Sequence, residues 1–236
     1  MLSAARLNEV AGMGHAELTD DGAIWVIPPA RTKNHRQHSL ALSPLLRETI
    51  ASAPRVASAS GLVFTISGAP LTAWSHIKAR LDRKMLEIAR AERGTGAAIP
   101  RFTLHDLRRT AASTLQRLGV NLETIERALN HRSGSFAGVV GTYQTDLLED
   151  DTRDAMARLA RFIPMVADVK LHGAHEKFLK GGNDEDNRKS RQTFLAAVAE
   201  GGERWTDYLN ILANIASGKQ PPKVASLTAA RSRRGR

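Results

Sequence analysis

Two short β-like runs, in a chain otherwise patterned for helices, are the feature that most limits the fold. Ala23–Leu42 contains the runs IWVIPP and HSLAL on either side of the polar stretch ARTKNHRQ. Apolar, β-branched runs that flank a polar segment predict an antiparallel hairpin, here with basic residues at its tip. Pro28 and Pro29 fit a strand end or a sheet edge. We therefore expect an α+β fold that is mainly α-helical and contains a small antiparallel β-sheet.

Helical patterning accounts for most of the remaining chain up to residue 163. It predicts helices at Ala4–Val10, Pro44–Ala53, Thr72–Arg93, Leu104–Leu118, Leu122–Leu129 and Leu147–Phe162, and Leu62–Thr65 is one more strand candidate. Thr103 and Asp106 have the spacing of a capping box, which favours a helix start at Leu104. Leu147, Met156, Leu159 and Phe162 are the expected core contacts of the last helix, which Pro164 should end.

The chain after Pro164 has a different character, so we expect a boundary between residues 1–163 and residues 164–236. GGNDEDNRKS predicts a polar linker, and Thr193–Ser217 predicts two helices around the GGE break. Residues 218–236 end in a basic sequence that is typical of a disordered terminus. Tyr208, beside Trp205 and Leu212, is expected to pack in this helical C-terminal extension.

Composition restricts the function classes. The 236 residues carry 34 Lys and Arg against 24 Asp and Glu, a net charge of +10 that favours a polyanionic partner, usually nucleic acid. Without cysteine the chain has no disulfide, no thiolate zinc site and no cysteine nucleophile. No apolar run approaches the roughly 18 residues of a membrane span, and Glu9 interrupts any secretory core. We expect a cytoplasmic protein with no membrane contact.

The sequence TLHDLRRT holds the densest group of candidate functional residues. His105 and Arg108 are three residues apart near the start of the expected helix, so both side chains can project from one face at its positive end. That arrangement suits a phosphate group. Arg109 should point away from Arg108 and lie at the surface.

Further candidates occur in a fixed order around this pair. The full set along the chain is Arg6, Lys33, His105, Arg108, His131 and Tyr143. The segments AARLNEVAGM, TKNHRQHSLALS, HDLRRTAASTL and ALNHRSGSFAGVVGTYQ carry these residues. In this order they resemble the catalytic domain of the tyrosine recombinases, the phage integrase family, over roughly residues 1–163. The spacing of twelve between His131 and Tyr143 is similar to that of longer-loop integrases of prophages and genomic islands.

The residue types fit phosphodiester chemistry. Attack on a phosphodiester adds negative charge to its non-bridging oxygens, and fixed cations and donors can stabilise that charge. Arg6 and Arg108 would make bidentate contacts, and His105 and His131 would donate a hydrogen bond or move a proton. Lys33 would protonate the departing 5′ oxygen. This set needs neither a metal nor a cofactor, and no carboxylate cluster typical of a two-metal nuclease is present in the sequence.

The resemblance implies that Tyr143 is the nucleophile, which forms a 3′-phosphotyrosyl linkage that a second 5′ hydroxyl then reseals. Glu9 is expected to support the first helix or orient an arginine. Lys33 is the preferred general acid, although Arg31, Arg36 and two histidines share its turn and any of them could contact DNA phosphates instead.

The resemblance also implies partners. Double-stranded DNA is the substrate, a tetramer of protomers would form on paired sites, and DNA-bound protein would associate with the nucleoid. Such integrases have an upstream DNA-clamp domain, and the start of this chain inside its expected first helix predicts that the domain is absent, as in a truncated integrase. Two alternatives stay open: a catalytically inactive DNA-binding remnant, and a relaxing topoisomerase that uses the same residues.

Overall fold

The computed structural model describes residues 1–56, 60–131, 145–182 and 184–219, without the side chains of 145–148 and 169. Three antiparallel strands form one sheet in the order β1 (Leu18–Thr19), β2 (Ile24–Ile27) and β3 (His38–Ala41). Trp25 of β2 faces Leu40 of β3, and both side chains are fully buried. The expected hairpin is therefore confirmed, and the short strand β1 extends it.

Helices make up most of the described chain, which confirms the mainly helical class. They are α1 (Leu7–Ala11), α2 (Pro44–Ala51), α3 (Trp74–Arg93), α4 (Leu104–Arg117), α5 (Leu122–Ala128), α6 (Thr145–Ala167), α7 (Val169–Lys180), α8 (Asp184–Glu200) and α9 (Gly202–Ala216). Single 3₁₀ turns lie at His15–Glu17 and Pro29–Arg31. None of the helices in the described ranges combines the length and the apolar character needed to cross a bilayer.

Two of the local expectations in the first third of the chain are wrong. The first helix begins at Leu7 rather than Ala4, because Ala4 has a left-handed φ of 49° and Arg6 is an extended N-cap residue. Leu62–Thr65 is not a strand, because this segment shares only an isolated bridge, Gly14 with Leu62, with a neighbouring segment that is itself irregular. Val63 nevertheless reaches the core, and its amide donates to the Met13 carbonyl at 2.8 Å.

The region around Pro164 also differs from expectation. Pro164 lies inside α6, which continues to Ala167, and Met165 is buried immediately after it. Tertiary packing of α6 thus outweighs the roughly 3 kcal/mol that an interior proline costs a helix. The expected linker at 181–190 is also wrong, since Asp184 begins α8 and three acidic residues occupy that helix's first turn, where the helix dipole favours them.

Helix α6 contributes to two clusters of buried apolar residues. Met156 and Leu159 pack in the first cluster with the sheet, α4 and α5, which confirms two of the expected core contacts. Met165 packs in the second cluster with α7, α8 and α9, and Phe162 lies against that cluster. Leu147 lies outside the residues whose side chains are described. The first cluster packs α1, α4, α5 and the hairpin against one another, so that their ends lie close together.

The second cluster explains Tyr208. Its ring is 1% exposed, and its hydroxyl lies 2.5 Å from Nδ1 of the buried His175. Burial raises the pKa of Tyr208 far above its usual value, so the phenol stays protonated. The expectation that this tyrosine packs is confirmed.

Candidate active site

Two consecutive backbone carbonyls directly after the last residue of α5 organise the site. The Leu129 carbonyl accepts from Nη2 of Arg108, and the Asn130 carbonyl accepts from Nη2 of Arg6 at 3.4 Å, while the buried His38 ring lies next to Ala128. The last carbonyls of a helix have no partner within the helix and form its negative end. They are suited to hold cationic side chains, and here they hold arginines from two separate parts of the chain.

Arg108 is held from two sides. Its residue is only 6% exposed, and Nη1 donates to the Ala4 carbonyl at 2.5 Å while Nη2 donates to Leu129. Burial, with the positive charge of Arg6 as a smaller cause, lowers the pKa of Arg108 to about 10, and Glu9 opposes that shift. The guanidinium therefore keeps its charge at neutral pH.

The capping box places the start of the helix that carries Arg108, as the sequence predicts. The Thr103 amide and hydroxyl each donate to Asp106 Oδ2 at 2.8 Å. These hydrogen bonds lower the pKa of Asp106 below its usual value. His105 is exposed on the first turn, and Arg109 is exposed with Nη1 3.0 Å from Asp106 Oδ1, so Arg109 does lie at the surface.

Glu9 orients Arg6. The buried Glu9 carboxylate accepts from the Arg6 amide at 2.8 Å and from Arg6 Nη1 at 2.9 Å. The same carboxylate raises the pKa of Arg108 against the effect of burial. One buried carboxylate thus compensates two neighbouring guanidinium groups, and the expected role of Glu9 as a support for an arginine is confirmed.

His131 directly follows the carbonyls that hold the arginines. Its amide donates to the Glu126 carbonyl at 2.8 Å, and its side chain is exposed. Desolvation, followed by the positive charges of Arg108 and Arg6, lowers the pKa of His131, and His105 contributes in the same direction. Both histidines and both arginines of the candidate set therefore lie in one neighbourhood.

The basic hairpin reaches this neighbourhood through its turn. Arg31 does not face outward but anchors the turn, with Nη1 2.6 Å from Glu17 Oε1 and further bonds to the carbonyls of Gly12 and Glu9. Lys33 is exposed, and the next residue, Asn34, contacts Asn130. Of the basic residues in this turn, Arg31 is thus engaged within the protein, whereas Lys33 and Arg36 are exposed.

Tyr143 lies outside the described residues, so its relation to this site stays a prediction. Within the described residues no group of three His, Cys, Asp or Glu side chains is arranged to hold a metal ion. What the structure assembles is a cluster of fixed cations and imidazoles at a surface.

Sequence reasoning missed two contributions to the site. His38 is buried next to Arg108, and Asn34 with Asn130 joins the hairpin to the end of α5. The alternating apolar pattern of HSLAL does place His38 on the inward face of the strand. No spacing signal relates Asn34 to Asn130, because the two are 96 residues apart.

A buried imidazole under the site makes stability depend on pH. Burial lowers the pKa of His38 from 6.5, although Glu9 and the Ala128 carbonyl oppose the shift, and its Nε2 atom has no hydrogen-bond partner among the residues that the structure describes. As the pH falls below 6.5, the unfolded chain binds a proton at His38 that the folded chain does not. The free energy of unfolding should fall with it, by at most about 1.4 kcal/mol per pH unit for this proton.

We expect His38→Gln to lose the contribution of His38 to this pH dependence. Between neutral and mildly acidic pH, its free energy of unfolding in urea should therefore depend less steeply on pH than that of the wild type. His35→Gln changes an exposed histidine of the same hairpin and should keep the wild-type slope. An unchanged slope in His38→Gln would contradict the assignment.

Comparison with known proteins identifies the family of the chain. A model of the phage integrase family matches residues 1–143, more than half of the chain, and that range includes all six candidate residues. No curated protein and no solved structure matches the chain. Arg6, Arg108 and both histidines, which the family resemblance marks as site residues, are the ones gathered around the end of α5. The chain belongs to the phage integrase family.

Proposed function

We propose that this protein is a tyrosine-type DNA strand transferase that performs site-specific recombination, as an integrase of a prophage or genomic island. Tyr143 attacks the phosphorus of one phosphodiester in double-stranded DNA. The bond from phosphorus to the 5′ oxygen breaks as the bond to the tyrosine oxygen forms. A 3′-phosphotyrosyl ester and a free 5′ hydroxyl result, and a 5′ hydroxyl from a second strand later attacks the ester and releases the tyrosine.

One observation carries the proposal: Arg6, Arg108 and His131 meet at the end of α5 in a chain of the phage integrase family. Two guanidinium groups held by backbone carbonyls are in place before any substrate arrives. Preorganised donors of this kind stabilise charge that develops on non-bridging oxygens, without reorganisation during the reaction.

Arg6 and Arg108 differ in how much of each guanidinium group is left to bind a phosphate. Arg108 is largely buried, and its Nη1 and Nη2 atoms donate to the carbonyls of Ala4 and Leu129. These bonds fix the guanidinium group, whose remaining N–H groups can bind a phosphate. Arg6 has a side chain that is 25% exposed and is oriented by Glu9. We assign to Arg6 the more exposed contact with a non-bridging oxygen and to Arg108 the inner one.

Two proton transfers complete the reaction. The phenolic proton of Tyr143 passes to a neutral imidazole, for which His105 and His131 are the candidates. The lowered pKa of His131 favours the neutral form that accepts a proton near pH 7. Lys33 donates the proton that the departing 5′ oxygen takes up. No water is consumed, so the ester conserves the phosphodiester for rejoining.

We assign this reaction to residues 1–163 and leave the role of the C-terminal helices open. The expected partners are double-stranded DNA and other protomers, as a tetramer on paired sites. Binding to chromosomal DNA would place the protein at the nucleoid in the cytoplasm. The net charge of +10 supports a polyanionic substrate.

The direct test is covalent capture without metal. A pool of nicked duplexes with random sequence lets a short 5′-hydroxyl fragment diffuse away after cleavage, so the protein stays attached to DNA. We expect the wild type to give a complex that survives denaturant, and Tyr143→Phe to give none because it lacks the attacking oxygen.

Three results would contradict the proposal. A complex of equal yield in Tyr143→Phe would exclude this tyrosine as the nucleophile. Salt-sensitive DNA binding by the wild type with no covalent complex from the pool would identify a DNA-binding remnant instead. Relaxation of supercoiled plasmid without recombinants would favour a topoisomerase.

The neighbouring residues Arg108 and Arg109 allow a matched pair of variants that tests the phosphate site. Arg108→Lys keeps the positive charge, but an ammonium group cannot donate to both the Ala4 and Leu129 carbonyls and also bind a phosphate. We therefore expect covalent capture to slow on the order of 100-fold. Arg109→Lys changes the exposed neighbour and should slow it little. Urea unfolding of both variants separates this loss from instability. Equal rates for the two variants would contradict the role of Arg108.

A further inference from the structure

Two amide side chains join the basic turn of the hairpin to the residue before His131. Asn34 Nδ2 donates to Asn130 Oδ1 at 2.6 Å, and Asn130 Nδ2 lies 3.4 Å from Asn34 Oδ1. Both residues are half-buried. This reciprocal amide pair joins two segments that are 96 residues apart in the sequence, and Asn34 Oδ1 also accepts from the Arg36 amide of its own turn at 3.4 Å.

Asn130 is fixed by its backbone as well as by its side chain. It has a left-handed φ of 49°, a conformation that asparagine tolerates better than most residues. Its amide donates to the Arg127 carbonyl at 2.9 Å, and its carbonyl accepts from Arg6. Asn130 therefore belongs to the same rigid helix end that holds the arginines.

The turn around Lys33 is fixed on both sides of the lysine. On one side the buried Thr32 hydroxyl donates to the Arg36 carbonyl at 2.7 Å and accepts from the Arg36 amide at 3.0 Å. These bonds set the shape of the turn. On the other side Asn34 sets where the turn lies relative to Asn130 and Arg6.

We propose that the pair of Asn34 and Asn130 is a positioning device that fixes Lys33 relative to the phosphate-binding arginines. The inference rests on the proposed function, in which Lys33 protonates the leaving 5′ oxygen. The ammonium group of lysine is carried on a flexible stem of four carbons, so the side chain does not fix its own position. The backbone of Lys33 must therefore be placed correctly for the ammonium group to reach the 5′ oxygen. Without the amide pair the turn keeps its shape but loses its register with the phosphate site.

A substrate with a different leaving group distinguishes a role in positioning Lys33, the proton donor, from a role in general structural support. When sulfur replaces the bridging 5′ oxygen of the scissile phosphate, the leaving group is a thiolate. A thiolate departs without a proton donor, because thiols are far stronger acids than alcohols. A defect in proton donation therefore disappears on the sulfur substrate, whereas a defect in phosphate binding or folding remains.

The experiment compares single-turnover cleavage at saturating protein on oxygen and sulfur versions of a nicked duplex that the random pool has selected. We expect Asn34→Ala and Asn130→Gly to slow cleavage of the oxygen substrate about tenfold or more, a cost typical of a misplaced catalytic group. Both should cleave the sulfur substrate at the wild-type rate. Asn130→Gly keeps the left-handed backbone free of strain while it removes the amide.

Two controls define the interpretation. Lys33→Ala should show the same pattern with a larger defect, and Asn34→Ala should add nothing in the Lys33→Ala background. Gln37→Ala removes an exposed amide from the same hairpin and should behave as the wild type on both substrates.

The outcomes distinguish this inference from the proposed function. Wild-type rates in both asparagine variants, equal slowing on both substrates, or a change in DNA affinity alone would overturn the positioning role while Tyr143-dependent cleavage stands. Absence of Tyr143-dependent cleavage of either substrate by the wild type would overturn the proposed function and this inference with it.

Discussion

The C-terminal end of α5 is the constraint on which the rest of the site depends. The carbonyls of Leu129 and Asn130 accept from Arg108 and Arg6, which come from other parts of the chain, and the buried His38 ring lies next to Ala128. A seven-residue helix thus brings together the sheet, α4 and the residues before α1. Because these two carbonyls belong to consecutive residues directly after the helix, the backbone there sets where the two guanidinium groups are held.

Burial of Arg108 has an electrostatic cost that this arrangement offsets. Desolvation lowers the pKa of Arg108 to about 10, and the carbonyls with Glu9 keep the charged form dominant at neutral pH. A buried charge without such partners would be strongly destabilising. The same contacts hold the guanidinium in place when no substrate is bound, which is the state an enzyme needs if the site is to stabilise a transition state. Stability and the proposed chemistry therefore depend on the same hydrogen bonds.

Local signals in the sequence predict much of this arrangement. The capping box at Thr103 locates the helix of His105 and Arg108, since a cap depends on residues three apart. The hairpin follows from its apolar runs. The start of the first helix is not predictable in this way, because arginine is not a typical N-cap residue and Arg6 also contacts Asn130, 124 residues away in the sequence. The helix through Pro164 likewise depends on packing of Met165 against distant helices.

The candidate residues show the same division. Their order along the chain makes the arginines and histidines candidates, whereas the carbonyls of Ala4, Leu129 and Asn130, which accept from the arginines, are brought to them only by the folded chain. Lys33 is the intermediate case. Its turn is predicted from local sequence, but its register with the arginines rests on one pair of amides 96 residues apart.

The most direct measurement is to map the DNA attachment on the protein. Covalent complexes from the nicked pool would be digested with nuclease and protease, and mass spectrometry would locate the nucleotide left on a peptide. We expect a nucleotide linked through its 3′ phosphate to Tyr143. A nucleotide on Tyr208, on a serine or on any other residue would contradict it, because the arginines at the end of α5 would then serve a different nucleophile.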